Sequence, residues 1–188
     1  MAAERQRSFN IWSYNLTADL PAQSRVRQMT NGDLEQVLGW RNHADVRRYM
    51  YTQHEIGLEE HKRWFEHARL DSSRHLLVFE RDSVPVGFIN IHEIAQGGIA
   101  DWGFYTAPDA SPGTGRLLGE AALCYAFHQA GLHKLCGQAI AYNQRSIKFH
   151  LNQGFKQEGI LREQYFDGQQ YHDVICFGLL ATDSPVNI

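Results

Sequence analysis

The segment Asn143-Gln-Arg-Ser-Ile-Lys-Phe-His-Leu-Asn-Gln-Gly-Phe155 places a hydroxyl, an ammonium and an imidazole (Ser146, Lys148 and His150) within two helical turns. Protonated imidazole has a reference pKa of about 6.5, and as a general acid it is typically worth about 10²–10⁴-fold in rate. His150 is therefore the candidate proton donor. Its plainer reading is a helix-face histidine bonded to water or backbone. Glu93 and Asp101, near the ends of two adjacent predicted strands, are candidate bases, with His92 and His54 behind them. Carboxylates on strands more often face solvent or pair with arginine, so the sequence leaves the base open.

A second constellation is Ser111-Pro-Gly-Thr-Gly-Arg116, which opens an apolar helix of Leu117, Leu118, Ala121, Ala122 and Tyr125. First-turn amides of a helix lack intrahelical partners, and the dipole adds partial positive charge. A diphosphate could rest on the amides of Gly113, Thr114, Gly115, Arg116 and Leu117, with the Arg116 side chain adding a charge-assisted contact. A Pro-Gly turn before any helix would look the same. No Lys-Ser/Thr pair follows the glycines, so this is not a Walker loop, and the third glycine of a dinucleotide fingerprint is missing. A phosphate-binding geometry beside a candidate proton donor suggests a coenzyme-dependent transferase.

The elements that must hold these residues follow from periodicity. Residues 1 to 22 read as an extension and 23 to 188 as one domain. Val26 to Met29 is a short strand, after which Thr30 and Asp33 cap a helix carrying Leu34, Val37 and Leu38. A second amphipathic helix shows Leu58, His61, Trp64, Phe65 and Ala68 on one stripe. Strands are predicted at His75 to Glu80, Val86 to Glu93 and Ile99 to Tyr105, the last two joined by Gln96-Gly97-Gly98. The helix after the glycine loop runs to Ala130 and stops at Gly131. Lys134 to Ala141 is a strand, 144 to 153 a short helix capped by Asn143 and stopped by Gly154, with Phe155 folding back onto Phe149. Strands at 155 to 162 and 171 to 180 end the chain. The order β-α-α-β-β-β-α-β-α-β-β gives a mixed α/β (α+β) sheet with helices on both faces.

The totals exclude several classes. At 188 residues with net charge −3, no whole-chain field draws this protein to nucleic acid or to a membrane. No apolar run approaches the ~18 residues of a bilayer span, which points to a cytoplasmic protein. The three cysteines, Cys124, Cys136 and Cys176, show no metal-ligand spacing, and an odd count argues against a disulfide framework. No metal site is expected.

The element order, the glycine loop and the Asn143 to Phe155 motif together resemble the GNAT acetyltransferase superfamily, over roughly residues 25 to 180. Trp40-Arg41-Asn42, Val46-Arg47, Met50, Ile56, His61 and Trp64-Phe65 look closest to the acetyltransferases of pseudaminic acid biosynthesis. The resemblance implies acetyl-CoA as cofactor and direct attack by an amine in a ternary complex. It implies a UDP-linked 4-amino-4,6-dideoxy sugar as acceptor, en route to flagellin glycosylation. It also implies that the strand of Phe104, Tyr105 and Thr106 parts from its neighbour and frees backbone for pantetheine, and that Asn143, Ser146 and Lys148 meet the coenzyme. For the acceptor it points to Arg41, Asn42, Tyr51, His54, His61 and Tyr171, whose aromatic planes and donors suit a nucleotide sugar. An edge strand makes a homodimer an expectation. Two departures stand out: Ser111-Pro112 replaces the usual Gln/Arg of the loop, and His150 replaces the family's acid tyrosine. The rival functions are a protein N-terminal acetyltransferase and, behind it, a non-catalytic acyl-CoA-binding module.

Overall fold

The computed structural model describes residues 24–185. The expected extension, residues 1 to 22, lies outside them. The chain runs through β1 (Ser24–Gln28), α1 (Leu34–Asn42), α2 (Ala44–Arg47), α3 (Leu58–Ala68), β2 (Arg74–Arg81), β3 (Val84–Ala95) and β4 (Ile99–Thr106). It continues through α4 (Thr114–Cys124), β5 (Lys134–Ile140), α5 (Gln144–Asn152), β6 (Lys156–Phe166) and β7 (Tyr171–Leu180). The expected order is present, with one short helix, α2, that hydrophobic periodicity is too coarse to show in four residues.

The strands form one seven-stranded sheet, β1-β2-β3-β4-β5-β7-β6. The apolar run Leu76-Leu-Val-Phe79 reflects a strand covered on both sides. Leu76 and Val78 join a core built with Val37, Trp40 and Phe65 of α1 and α3. Leu77 and Phe79 join the other core, with Leu118, Ala122 and Leu123 of α4. Trp64, expected in the core, packs edge-on against Phe88 at 6.1 Å.

The first edge of the sheet is held by charge. The Thr30 amide and hydroxyl both donate to Asp33 Oδ2 at 2.8 Å, closing the predicted capping box. Arg27 grips Asp33 through two N–H groups at 2.8 and 2.7 Å and donates its Nε to Glu80 at 2.6 Å. Arg25 donates to the same Glu80 at 2.7 Å. The Arg27 hydrogen bonds hold the Asp33 carboxyl down at about 2. Strand, helix start and neighbouring strand are thereby tied together.

Two elements differ from expectation. The helix expected to run unbroken to Ala130 widens after Cys124 into a π-turn at Tyr125–Gln129, which carries the Tyr125 hydroxyl to within 3.0 Å of His75 Nδ1. Phe155 stacks on Trp102, with centroids 5.3 Å apart, instead of folding onto Phe149. The aromatic after the glycine stop thus packs across to the sheet and, on its own helix, against the edge of His150 at 5.1 Å.

One junction decides where a ligand fits. β4 and β5 are the parallel pair, joined at Ile99–Lys134, Ala100–Leu135 and Asp101–Cys136 only. β4 runs on to Thr106 and β5 to Ile140, so their facing edges separate beyond Asp101.

Candidate active site

The parting of β4 and β5 opens a cleft of about 460 Å³. Its walls include Asp101 to Thr106 of β4, Cys136 and Gln138 to Ile140 of β5, and Asn143, Arg145, Ser146, Phe149 and His150 around the start of α5. Tyr49, Met50 and Tyr51 close one end, and Gly115 of α4 stands at another part of the rim. The charged side chains on this lining are Asp45, Asp101 and Arg145.

One half of the site follows from two helix starts. Gly113 sits at φ 87°, a left-handed turn that favours glycine, and hands the chain to α4. The Thr114 amide is taken by the Ser111 carbonyl at 3.1 Å, and the Leu117 amide by the Gly113 carbonyl at 3.3 Å. Two of the five expected amide donors are therefore spent, which corrects the sequence reading. Among the described residues, the amides of Gly113, Gly115 and Arg116 have no backbone acceptor. The Leu117 side chain belongs to the core, and the Arg116 side chain is exposed and paired with Glu120. Asn143 caps α5 as expected, its Oδ1 accepting from the Ser146 amide at 3.1 Å. Lys148 is exposed and off the cleft lining, whereas Arg145 is on it.

His150 departs most from expectation. It is 2% exposed and wedged between rings, stacked on Phe177 at 4.7 Å. Trp102 Nε1 can only donate, and it stands 3.2 Å from His150 Nε2. The Ser146 carbonyl can only accept, and it lies 2.8 Å from His150 Nδ1. These partners fix the neutral tautomer, with its proton on Nδ1. Burial pushes the pKa down to about 4. The imidazole is neutral at pH 7, and its proton is committed to a carbonyl. The geometry therefore gives His150 no proton to donate there, contrary to the sequence reading. Gly137 makes room for this contact: a Cβ there would stand 2.4 Å from His150 Nε2 and 2.8 Å from Trp102 Nε1.

The two candidate bases separate. Asp101 lines the cleft at the vertex where the strands part, and burial raises its pKa. His92 is its cross-strand partner on the same face, with its Nδ1 facing Arg74 Nη2 at 3.3 Å. Glu93 pairs with Ala100, so alternation places it on the opposite face of the sheet, off the cleft lining. It is not positioned as a base.

Among the expected acceptor contacts, Tyr51 is on the lining and donates its hydroxyl to Gln138 Oε1 at 2.8 Å. Asn42 is not available: its amide accepts from the Ile56 N–H at 2.9 Å and donates to the Ile56 carbonyl at 2.8 Å. Arg41 donates one N–H to the Thr52 carbonyl at 2.9 Å, while its buried Nη1 has no partner among the described residues. His61 is buried and stacked on Trp64 at 5.0 Å, and its Nε2 is likewise unpartnered. His54 is exposed and bonded to Glu60 at 3.1 Å, away from the cleft. Tyr171 is 64% exposed and packs on Phe166 in the far hairpin. His54 and Tyr171 leave the site. Asn90 and Gln138 were missed, although each is an amide interrupting an apolar strand, and the buried Asn90 Oδ1 has no partner.

All three cysteines are free, and burial raises each thiol's pKa, consistent with inert side chains. No His, Cys, Asp and Glu cluster among the described residues could hold a metal. No described helix is long and apolar enough to cross a membrane.

With this geometry in place, residues 24–156 match the family model of the acetyltransferase (GNAT) domain. The chain belongs to the GNAT acetyltransferases. It is an acetyl-transferring enzyme that uses acetyl-CoA, and the cleft and open amides described above fit that coenzyme. It is 27% identical to the acetyltransferase PseH of Campylobacter jejuni over 128 residues, which covers 68% of this chain and 80% of that protein. Against the spermidine N(1)-acetyltransferase of Vibrio cholerae it is 24% identical, covering 81% of this chain and 90% of that one. A crystal structure of the Vibrio cholerae enzyme with CoA and spermine superimposes at a TM-score of 0.80, with 87% and 98% coverage and 24% identity. That likeness shows the shared fold.

Proposed function

We propose that this GNAT enzyme acetylates the 4-amino group of a UDP-linked amino-deoxy sugar, the acceptor class of the pseudaminic acid pathway. The observation that supports the reading is Asn90 on the cleft lining, whose buried Oδ1 has no partner among the described residues. A buried polar atom without a partner costs roughly 1–3 kcal/mol, so an amide oxygen there suits a hydroxyl-rich ligand that donates to it. Tyr49, Tyr51 and Tyr105 on the lining add aromatic planes for stacking a ring. The 27% identity to PseH supports the same acceptor class.

Bound acetyl-CoA supplies an activated acetyl thioester. The chain's own residues do the rest. Asp101, its basicity raised by burial, takes the proton that the acceptor's ammonium must lose. His92 stands beside Asp101 as the route by which that proton leaves. Backbone N–H groups on the unpaired edge of β4 polarise the acyl carbonyl. A thiol has a reference pKa of about 8.5, so the chain needs no strong acid for the departing sulfur. This accommodates a neutral His150, whose part is to hold Trp102 and the Ser146 turn in place.

A second reading, a cationic acceptor such as a polyamine or a peptide N-terminus, is favoured by Asp45 and Asp101 on the lining. Thiol release from acetyl-CoA, assayed with panels of amino-sugar nucleotides, polyamines and N-terminal peptides, separates the two. Turnover confined to the cationic panels overturns the sugar reading.

A further inference from the structure

We infer that Arg81, at the end of β2, is the guanidinium that grips the coenzyme's diphosphate. The glycine loop carries an arginine of its own, but Arg116 is committed to Glu120 one turn along α4. Arg81 approaches the same helix start from the sheet. Its Nη1 donates to Thr114 Oγ1 at 3.3 Å, and Thr114 is the first residue of α4 and only 2% exposed. Among the described residues Arg81 has no carboxylate within ion-pair distance. Its charge is therefore uncompensated beside the open amides of Gly113, Gly115 and Arg116.

The hairpin that presents Arg81 is itself unusual. The two residues after it, Asp82 and Ser83, turn at φ 53° and 63°, both left-handed and neither glycine. This tight turn returns β3 directly and keeps the end of β2 short and defined. Held by Thr114, the guanidinium keeps its remaining N–H groups for an anion. Neutralising a dianionic diphosphate by amides alone leaves charge uncovered, and a guanidinium within reach of the same helix turn supplies it.

The inference rests on acetyl-CoA as the coenzyme and not on the acceptor, so its test is made by binding alone. CoA and 3′-dephospho-CoA are titrated calorimetrically into the full chain and into Arg81→Gln and Arg81→Lys. Pantetheine, which has no phosphate, is measured by competition. Arg81→Gln is expected to weaken CoA and 3′-dephospho-CoA alike by about tenfold, the scale of one charge-assisted hydrogen bond. Arg81→Lys should restore part of the loss, and pantetheine should bind all three proteins equally. An unchanged CoA Kd overturns the assignment. So does a penalty that vanishes with 3′-dephospho-CoA, which moves the contact to the ribose phosphate, or an equal loss for pantetheine, which makes the role structural.

Discussion

At the scale of single residues, the chemistry divides between a carboxylate that is placed to act and an imidazole that is not. Asp101→Asn should lower kcat by about 10²-fold while leaving CoA affinity near that of the parent. A kcat within twofold of the parent would remove Asp101 from proton transfer. His150 makes a prediction about stability instead. Its native pKa of about 4 lies below the unfolded value near 6.5. Between those values the unfolded chain binds more protons, so stability is complete above about pH 6.5 and is lost as pH falls toward 4. The gap corresponds to about 3 kcal/mol. Denaturant midpoints measured from pH 7 to 4 should fall steeply for the parent and much less for His150→Gln. Equal slopes would show that the imidazole is not the group being titrated. Sequence alone put both residues in the site, because their types and spacing are local. It could not show that Trp102, 48 residues earlier in the chain, occupies the nitrogen a proton donor would need.

At the scale of elements, the α2–α3 connection supplies Tyr49, Met50 and Tyr51 to the cleft lining, where the proposed reading puts the acceptor. Asn42 pins it at Ile56, Arg41 at Thr52, Tyr142 at the Arg48 carbonyl and Gln53 at the Tyr165 hydroxyl. Asn42→Ala should therefore raise the acceptor KM several-fold while the acetyl-CoA KM stays within twofold, read by steady-state kinetics with each substrate varied. A parallel rise in both would mean the loop serves the fold and not the acceptor. Gly137→Ala tests the packing behind the cleft, where a methyl group would collide with His150 and Trp102. Overpacking of this kind costs about 1–3 kcal/mol, and thermal unfolding should show it. The strands and long helices were legible because alternation and 3.6-residue periodicity survive in Leu76 to Phe79 and in the stripe of Leu58 to Ala68. The loop's anchoring was not legible, since Arg41-Asn42 reads equally well as ligand donors or as latches. Only the partners distinguish these roles, and they lie 11 and 14 residues away.

At the scale of the whole molecule, the sheet is secured at its β1 edge by the Arg25, Arg27, Asp33 and Glu80 network. Asp33→Asn should lower stability by about 2 kcal/mol at pH 7, because hydrogen bonds to charged groups contribute roughly 1.5–3 kcal/mol. Its parent carboxyl is held at about 2, below the ordinary value of 3.8. That stabilisation is present above pH 3.8 and disappears as pH falls through 2, a window lower than that of His150. The β4–β5 junction has the opposite character. With just three residue pairs across it, the strands β1 to β4 and β5 to β7 are laced together at one end and unzipped at the other. On the proposed reading acetyl-CoA would fill that gap, pairing with the freed backbone as a further strand would. Mass action then makes the rigidity of the enzyme follow its supply: at a hundredfold excess over Kd, occupancy adds about 2.7 kcal/mol. Without coenzyme, the protein should exchange its β4 and β5 amides faster, which hydrogen exchange measured with and without CoA would show.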